Sequence, residues 1–135
     1  MKYLLDTCVI SEIVKTKPKE KVLAWLSSQA DVDLYLSVVT IGEIRKGIEA
    51  ARPTNPEAAL KYEAWLDDLV AHYDSRIVPL DEPAAQAWGR LMAQFPGSGV
   101  EDAQIAAIAS ARAMTVVTRN TADFRHFSVS IFDPF

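Results

Sequence analysis

Cysteine, histidine and glycine are scarce in this chain, and each scarcity closes off a class of protein. One cysteine, Cys8, among 135 residues excludes an internal disulfide and suits a reducing compartment. The two histidines, His72 and His126, lack the mutual spacing of zinc ligands. Basic residues are not in surplus either. A net charge of −4 and an isoelectric point near 5.1 argue against a protein that coats nucleic acid, so phosphate binding would need local bases or bound cations. No uninterrupted apolar run approaches the length of a bilayer, and no charged segment followed by an apolar stretch opens the chain. The expected location is therefore cytoplasmic, with no membrane contact.

What is present is an ordinary globular composition, 50% hydrophobic and 24% charged. We expect one domain spanning residues 1–135, long enough to bury a core. Short apolar runs at 2–5, 34–37, 76–80, 115–118 and 129–132 read as strands. Helical patterns at 9–14, 22–28, 39–51, the segment after Asn55-Pro56, the segment after Asp81, and 101–113 separate them. Asn55 and Asp81 have the chemistry of N-caps, and Pro56 suits a first helical turn. Apolar stripes run through Tyr62, Leu66, Leu69 and Tyr73, and through Ala84, Ala87, Trp88, Leu91 and Phe95. The Pro96-Gly97-Ser98-Gly99 stretch fits no element. Strands alternating with helices predict an α/β fold, a three-layer α/β/α sandwich around a mostly parallel five-stranded sheet.

In such sheets ligands bind beyond the carboxyl ends of the strands. Asp6 follows the first strand, Thr118-Arg119-Asn120 and then Asp123 follow the fourth, and Asp102 opens the helix leading into that strand. Three acids are thus expected at one edge. Two carboxylates about 4 Å apart repel by roughly 4 kcal/mol at an effective dielectric near 20, so gathering them favours metal chemistry over stability. Simpler roles compete. Asp6 could be a helix cap, Asp123 a turn residue, and Asp102 a first-turn charge on a helix dipole, although its helix face of Ala106, Ala109 and Ala113 is too apolar for a solvated surface. Glu43 points away from the Ile41, Ile44 and Ile48 stripe and reads by periodicity as a surface acid.

Four phrases occur in order along the chain: Tyr3-Leu4-Leu5-Asp6-Thr7, Leu36-Ser37-Val38-Val39-Thr40-Ile41-Gly42-Glu43-Ile44, Asp102-Ala103-Gln104-Ile105-Ala106-Ala107 and Val117-Thr118-Arg119-Asn120-Thr121-Ala122-Asp123-Phe124. With the closing Phe132-Asp133-Pro134-Phe135, this ordered set resembles the PIN-domain ribonucleases, specifically VapC-type toxins of type II toxin–antitoxin pairs. The resemblance implies an acidic quartet at Asp6, Glu43, Asp102 and Asp123, binding Mg²⁺ or Mn²⁺ and hydrolysing RNA phosphodiesters. It places a hydroxyl at Thr118. It also implies a cognate protein antitoxin that covers the acidic edge, a heteromeric toxin–antitoxin complex and a homodimer, for which Trp25 and Trp65 are apolar candidates. Cys8 departs from the pattern, which commonly has asparagine there, and Gln104 stands where an apolar residue is usual.

Around the acids, Thr7, Thr118 and Asn120 are candidates to hydrogen-bond the carboxylates or position substrate, and Arg45 and Arg119 to contact phosphate. All-oxygen ligands favour hard cations over zinc. Two other readings stay open from the residues. A phosphatase-like or phosphoacceptor domain would use Asp6 as nucleophile, although Cys8 occupies the position where such phosphatases carry a second aspartate. A non-catalytic binding module would keep the fold and act through partners.

Overall fold

The computed structural model describes all 135 residues. Five strands form one sheet: β1 (Tyr3–Leu5), β2 (Leu34–Ser37), β3 (Ile77–Val78), β4 (Thr115–Val117) and β5 (Ile131–Phe132). Their order is β3-β2-β1-β4-β5, and all four pairings are parallel. The first strand in sequence is therefore the middle strand of the sheet. Seven helices connect and flank the strands: α1 (Thr7–Ile13), α2 (Glu20–Ser28), α3 (Val38–Ala51), α4 (Pro56–Tyr73), α5 (Glu82–Gln94), α6 (Val100–Ala111) and α7 (Thr121–Phe124).

Alternation along the strands divides the core into two apolar layers. Leu5 and Val117 turn to one face, where Val9 and Ile10 of α1, Val22 of α2, Ile44 and Ile48 of α3, and Leu66 and Leu69 of α4 cover them. Leu4 and Val116 turn to the other, against Ala84 of α5 and Ala103, Ile105, Ala106, Ile108 and Ala109 of α6. This is the expected three-layer sandwich. Ala103, Ala106, Ala107 and Ala109 on α6 let its backbone approach the sheet closely, and all four are inaccessible to solvent.

Local chemistry sets most boundaries as expected. Asn55 and Asp81 accept 3.2 Å hydrogen bonds from the N–H groups of Ala58 and Ala84. Arg112 also reaches Asp81 at 3.1 Å, and these partners hold the Asp81 carboxyl below its usual range. Some elements are shorter than the sequence predicts. β3 stops at Val78 rather than Leu80 because Pro79 has no N–H to donate. The final strand covers only Ile131–Phe132, after a left-handed Ser128 at φ 57°. Helix α6 ends at Ala111, not Ala113. Ala113 takes φ 54°, and the Met114 N–H bonds back to the Ala109 carbonyl at 2.9 Å, a Schellman closure built on alanine.

Two fixtures were not visible in the sequence. Buried Glu12 accepts from Lys15 Nζ at 2.8 Å and from the Lys19 N–H at 2.9 Å, pinning the turn that leads into α2. These partners hold its carboxyl below the ordinary range. Trp25 packs between Tyr3 and Phe132 at centroid distances of 5.0 and 5.1 Å, so it braces the sheet. No helix is long and apolar enough to cross a membrane.

Candidate active site

Asp6 ends the central strand and begins α1, so its carboxylate is fixed from both sides. Oδ1 accepts from the Thr7 N–H at 2.8 Å, the capping role open to it from sequence. Oδ2 accepts from Thr118 Oγ1 at 2.8 Å, across 112 positions of sequence. Thr118 is fully buried and itself accepts from the Asn120 N–H at 3.0 Å. Asp6 is only 5% exposed. Burial pushes its carboxyl up, Thr118, Thr7 and Cys8 pull it partly back, and the charge of Asp123 pushes it up again. The helix cap and the candidate site residue are thus the same side chain.

Glu43 reaches this edge from α3. Thr7 Oγ1 lies 3.2 Å from its Oε1 and 3.4 Å from Thr40 Oγ1. The buried Ser37 hydroxyl, which caps α3 by accepting from the Thr40 N–H at 3.1 Å, is 3.4 Å from Thr40 Oγ1. A line of hydroxyls therefore joins the end of β2 to Glu43. Periodicity misjudged this residue because α3 packs on two layers. Ile44 and Ile48 join one cluster, Val39 touches the other, and Glu43 falls at the seam between them. Burial raises its carboxyl, and the charges of Asp6, Glu101 and Asp102 add to the rise.

Asp102 lies in the first turn of α6, half-buried, with its carboxyl pushed up to about 6. Desolvation is the largest cause, followed by the charges of Asp6, Asp123 and Glu101. Asp123 is not in a loop as expected from sequence but on the one-turn helix α7, exposed, and lines a recess with Asp102. Mutual charge effects link Asp6, Glu43, Asp102 and Asp123 at the carboxyl edge of the sheet. Their side chains are not drawn into a finished coordination shell, since no three of them stand close enough to grip one ion directly. The donor set is nonetheless all hard oxygen, and a hydrated Mg²⁺ engages one or two carboxylates directly and others through its waters.

The remaining candidates separate. Thr7 and Thr118 hydrogen-bond the acids. Asn120 contributes its backbone N–H, while the residue itself is exposed. Arg45 is committed elsewhere, paired with Glu63 at 2.6 Å and Glu49 at 3.2 Å on the α3–α4 surface. Arg119 follows Thr118, with its guanidinium 4.5 Å from the Phe135 ring. Cys8 Sγ lies 3.8 Å from Asp6 Oδ2 and 3.6 Å from Thr118 Oγ1. Burial pushes this thiol up, so it is a weak neighbour of Asp6 and not a thiolate. Gln104 faces the crevice between α3 and α6 with Glu43, Lys46 and Glu101, which explains a polar side chain there. An apolar groove of about 440 Å³ runs from Thr7 and Glu43 along Ile44, Ile48, Tyr62 and Trp65.

The PIN domain model matches residues 3–129, which includes all four acids. The chain belongs to the PIN domain family. It is 36% identical to Toxin FitB of Neisseria gonorrhoeae over 135 residues, covering 97% of this chain and 96% of the relative. Identity to the VapC ribonuclease Y4jK of Sinorhizobium fredii is also 36%, with the same coverage. The crystal structure of FitAcB from Neisseria gonorrhoeae superposes with a TM-score of 0.85 at 34% identity, covering 98% of this chain and 97% of that one. A solved member of the VapBC family of toxin–antitoxin systems, VapBC-5 from Mycobacterium tuberculosis, shares the fold with a TM-score of 0.64 at 27% identity, covering 98% of this chain and 96% of that one.

Proposed function

We propose that this PIN domain is a divalent-cation-dependent endoribonuclease acting as the toxin of a toxin–antitoxin pair. One observation supports the reading: acids from four distant segments lie near enough to the end of the central strand to feel one another's charge, though no three reach one ion directly. The carboxyls of Asp6, Glu43 and Asp102 are raised by burial and by that charge. Nothing in the packing of the fold requires that repulsion. Kinship to a VapC ribonuclease and to a toxin supports the substrate class and the role.

Asp6, Asp102, Asp123 and Glu43 would hold Mg²⁺ or Mn²⁺, some through water. When bound, the cation supplies a water of lowered pKa and neutralises charge on the phosphate and leaving oxygen. The chain's own residues set the geometry. The Thr7 N–H and Thr118 Oγ1 each donate to one oxygen of Asp6 and so fix the carboxylate. The Thr7 hydroxyl orients Glu43 Oε1, so Glu43 can accept a hydrogen bond from the attacking water. Arg119 would have to leave the Phe135 ring to meet a flanking phosphate, and Arg45 is held by Glu63 and Glu49.

The antitoxin would lie along the apolar groove of Ile44, Ile48, Tyr62 and Trp65 and end among the acids at Thr7 and Glu43. A phosphoacceptor role for Asp6 is disfavoured, because the side chain is buried and both oxygens are already hydrogen-bonded. The test is RNA cleavage with Mg²⁺ or Mn²⁺ by the wild type, Asp6→Asn and Asp102→Asn. Loss of more than about a hundredfold in kcat is expected for either variant, as for removal of a group acting directly in the transition state. Undiminished metal-dependent cleavage by both would refute the assignment.

A further inference from the structure

Beside the acids is a recess whose other walls, Phe95 to Gly99 and His126, have no part in the reaction above. About 460 Å³ of space opens between the segment from Phe95 to Gly99 and α7, within the size range of ligand clefts. Asp102 and Asp123 line it together with Phe95, Ser98 and His126. His126 is fixed across the opening from three directions. Its Nε2 shares a 3.0 Å hydrogen bond with Ser98 Oγ, its ring meets Phe95 edge-on at 5.0 Å, and Phe127 lies 4.0 Å away. The ring nevertheless stays exposed, so one orientation is presented to solvent.

The loop opposite is shaped around the acid. Gly97 has φ 93°, and a Cβ on Gly99 would stand 3.2 Å from Asp102 Oδ2. Backbone thus lies directly against a carboxylate that the nuclease reading assigns to the cation. Two carboxylates repel phosphate from any part of the recess that no cation screens. The portion of a nucleotide that fits there is the uncharged base. Proteins commonly read single-stranded RNA by stacking splayed bases on aromatic or histidine rings.

Resting on the nuclease reading, we infer that this recess is a nucleobase subsite, in which an unpaired base next to the scissile phosphate packs on the His126 ring. Ser98 and Phe95 are positioning residues that hold the ring. The subsite gives the enzyme a base preference at one position beside the cut.

The full-length chain and the variants His126→Ala, His126→Phe and Ser98→Ala are assayed with Mn²⁺ on a randomised single-stranded RNA. The readouts are kcat, KM, the bases flanking each cut, and Tm. His126→Ala is expected to raise KM roughly 5- to 150-fold, the loss of one stacked base, and to broaden base choice at a single position. His126→Phe recovers part of the loss because the ring face returns without the hydrogen bond, and Ser98→Ala, which loses the same bond, gives a similar intermediate rise. If His126→Ala alters Tm but leaves KM and base choice unchanged, the subsite is overturned and the nuclease stands. Should His126→Ala fail to fold, Ser98→Ala decides by the same criterion. A wild-type chain that cleaves no RNA overturns the subsite and the nuclease reading together.

Discussion

Replacing Asp102 with asparagine should make the metal-free protein more stable while removing its activity. The Asp102 carboxyl stands at about 6, raised by burial and then by Asp6 and Asp123. Against the free-carboxyl value of 3.8, that rise corresponds at face value to roughly 3 kcal/mol against the charged form. Partial exposure and salt screening reduce it to about 1–2 kcal/mol. For a domain of this size, Asp102→Asn should then raise Tm by about 3–8 °C at pH 7. The sign with pH follows from linkage. The folded carboxyl titrates above the unfolded one, so between about pH 4 and pH 6 the folded state holds extra protons and wild-type stability falls as pH rises. Asparagine has no such slope. Thermal melts in EDTA at pH 4, 5, 6 and 7 should show the two proteins together at pH 4 and separated at pH 7. Mg²⁺ or Mn²⁺ should then narrow the gap, since a cation bound by the folded wild type stabilises it by mass action. An Asp102→Asn protein no more stable than wild type at pH 7 without metal, or a gap independent of pH, would refute the electrostatic account.

Three further perturbations test other parts of the argument. Thr118→Val keeps the shape but leaves the buried Asp6 Oδ2 and the Asn120 N–H without that hydroxyl; denaturant unfolding should show a loss of about 1–3 kcal/mol, and cation affinity by titration calorimetry should fall. Ala106→Leu forces volume into the closest approach of α6 to the sheet, with an expected cost of about 1–3 kcal/mol and reduced kcat as the helix carrying Asp102 is displaced. Trp88 Nε1 is buried without a hydrogen-bond partner, so Trp88→Phe should cost less than about 1 kcal/mol by chemical denaturation, relief of the orphan donor offsetting lost area.

Most of the sheet and three of the four candidate acids could be read from residues alone, for identifiable reasons. Tyr3-Leu4-Leu5 is apolar at every position because both faces of a central parallel strand are covered, and Asp6 follows it at the strand's carboxyl end. Asp102 was legible because alanines follow it on the same helix face. Glu43 was not, since a single hydrophobic stripe describes a helix packed on one layer and α3 touches two. Thr40 escaped notice altogether; its only signal was a polar residue at 0% exposure, which no sequence displays. Arg45 looked available because its partner Glu63 is 18 positions away on the next helix. The two-residue β3 and β5 were overextended, as apolar pattern continues past the point where Pro79 and Ser128 end the extended backbone.

The hydrogen bond from Thr118 to Asp6 also has a temporal meaning. Its acceptor precedes its donor by 112 positions, so during synthesis β1 has a vacant side until β4 arrives to pair with it. Asp102 and Asp123 emerge in that same late stretch. A nascent or prematurely terminated chain thus displays Asp6 and Glu43 with neither the central strand's second neighbour nor the other two acids. A nuclease site of the kind proposed above, assembled in this order, stays incomplete until β4 docks on the central strand.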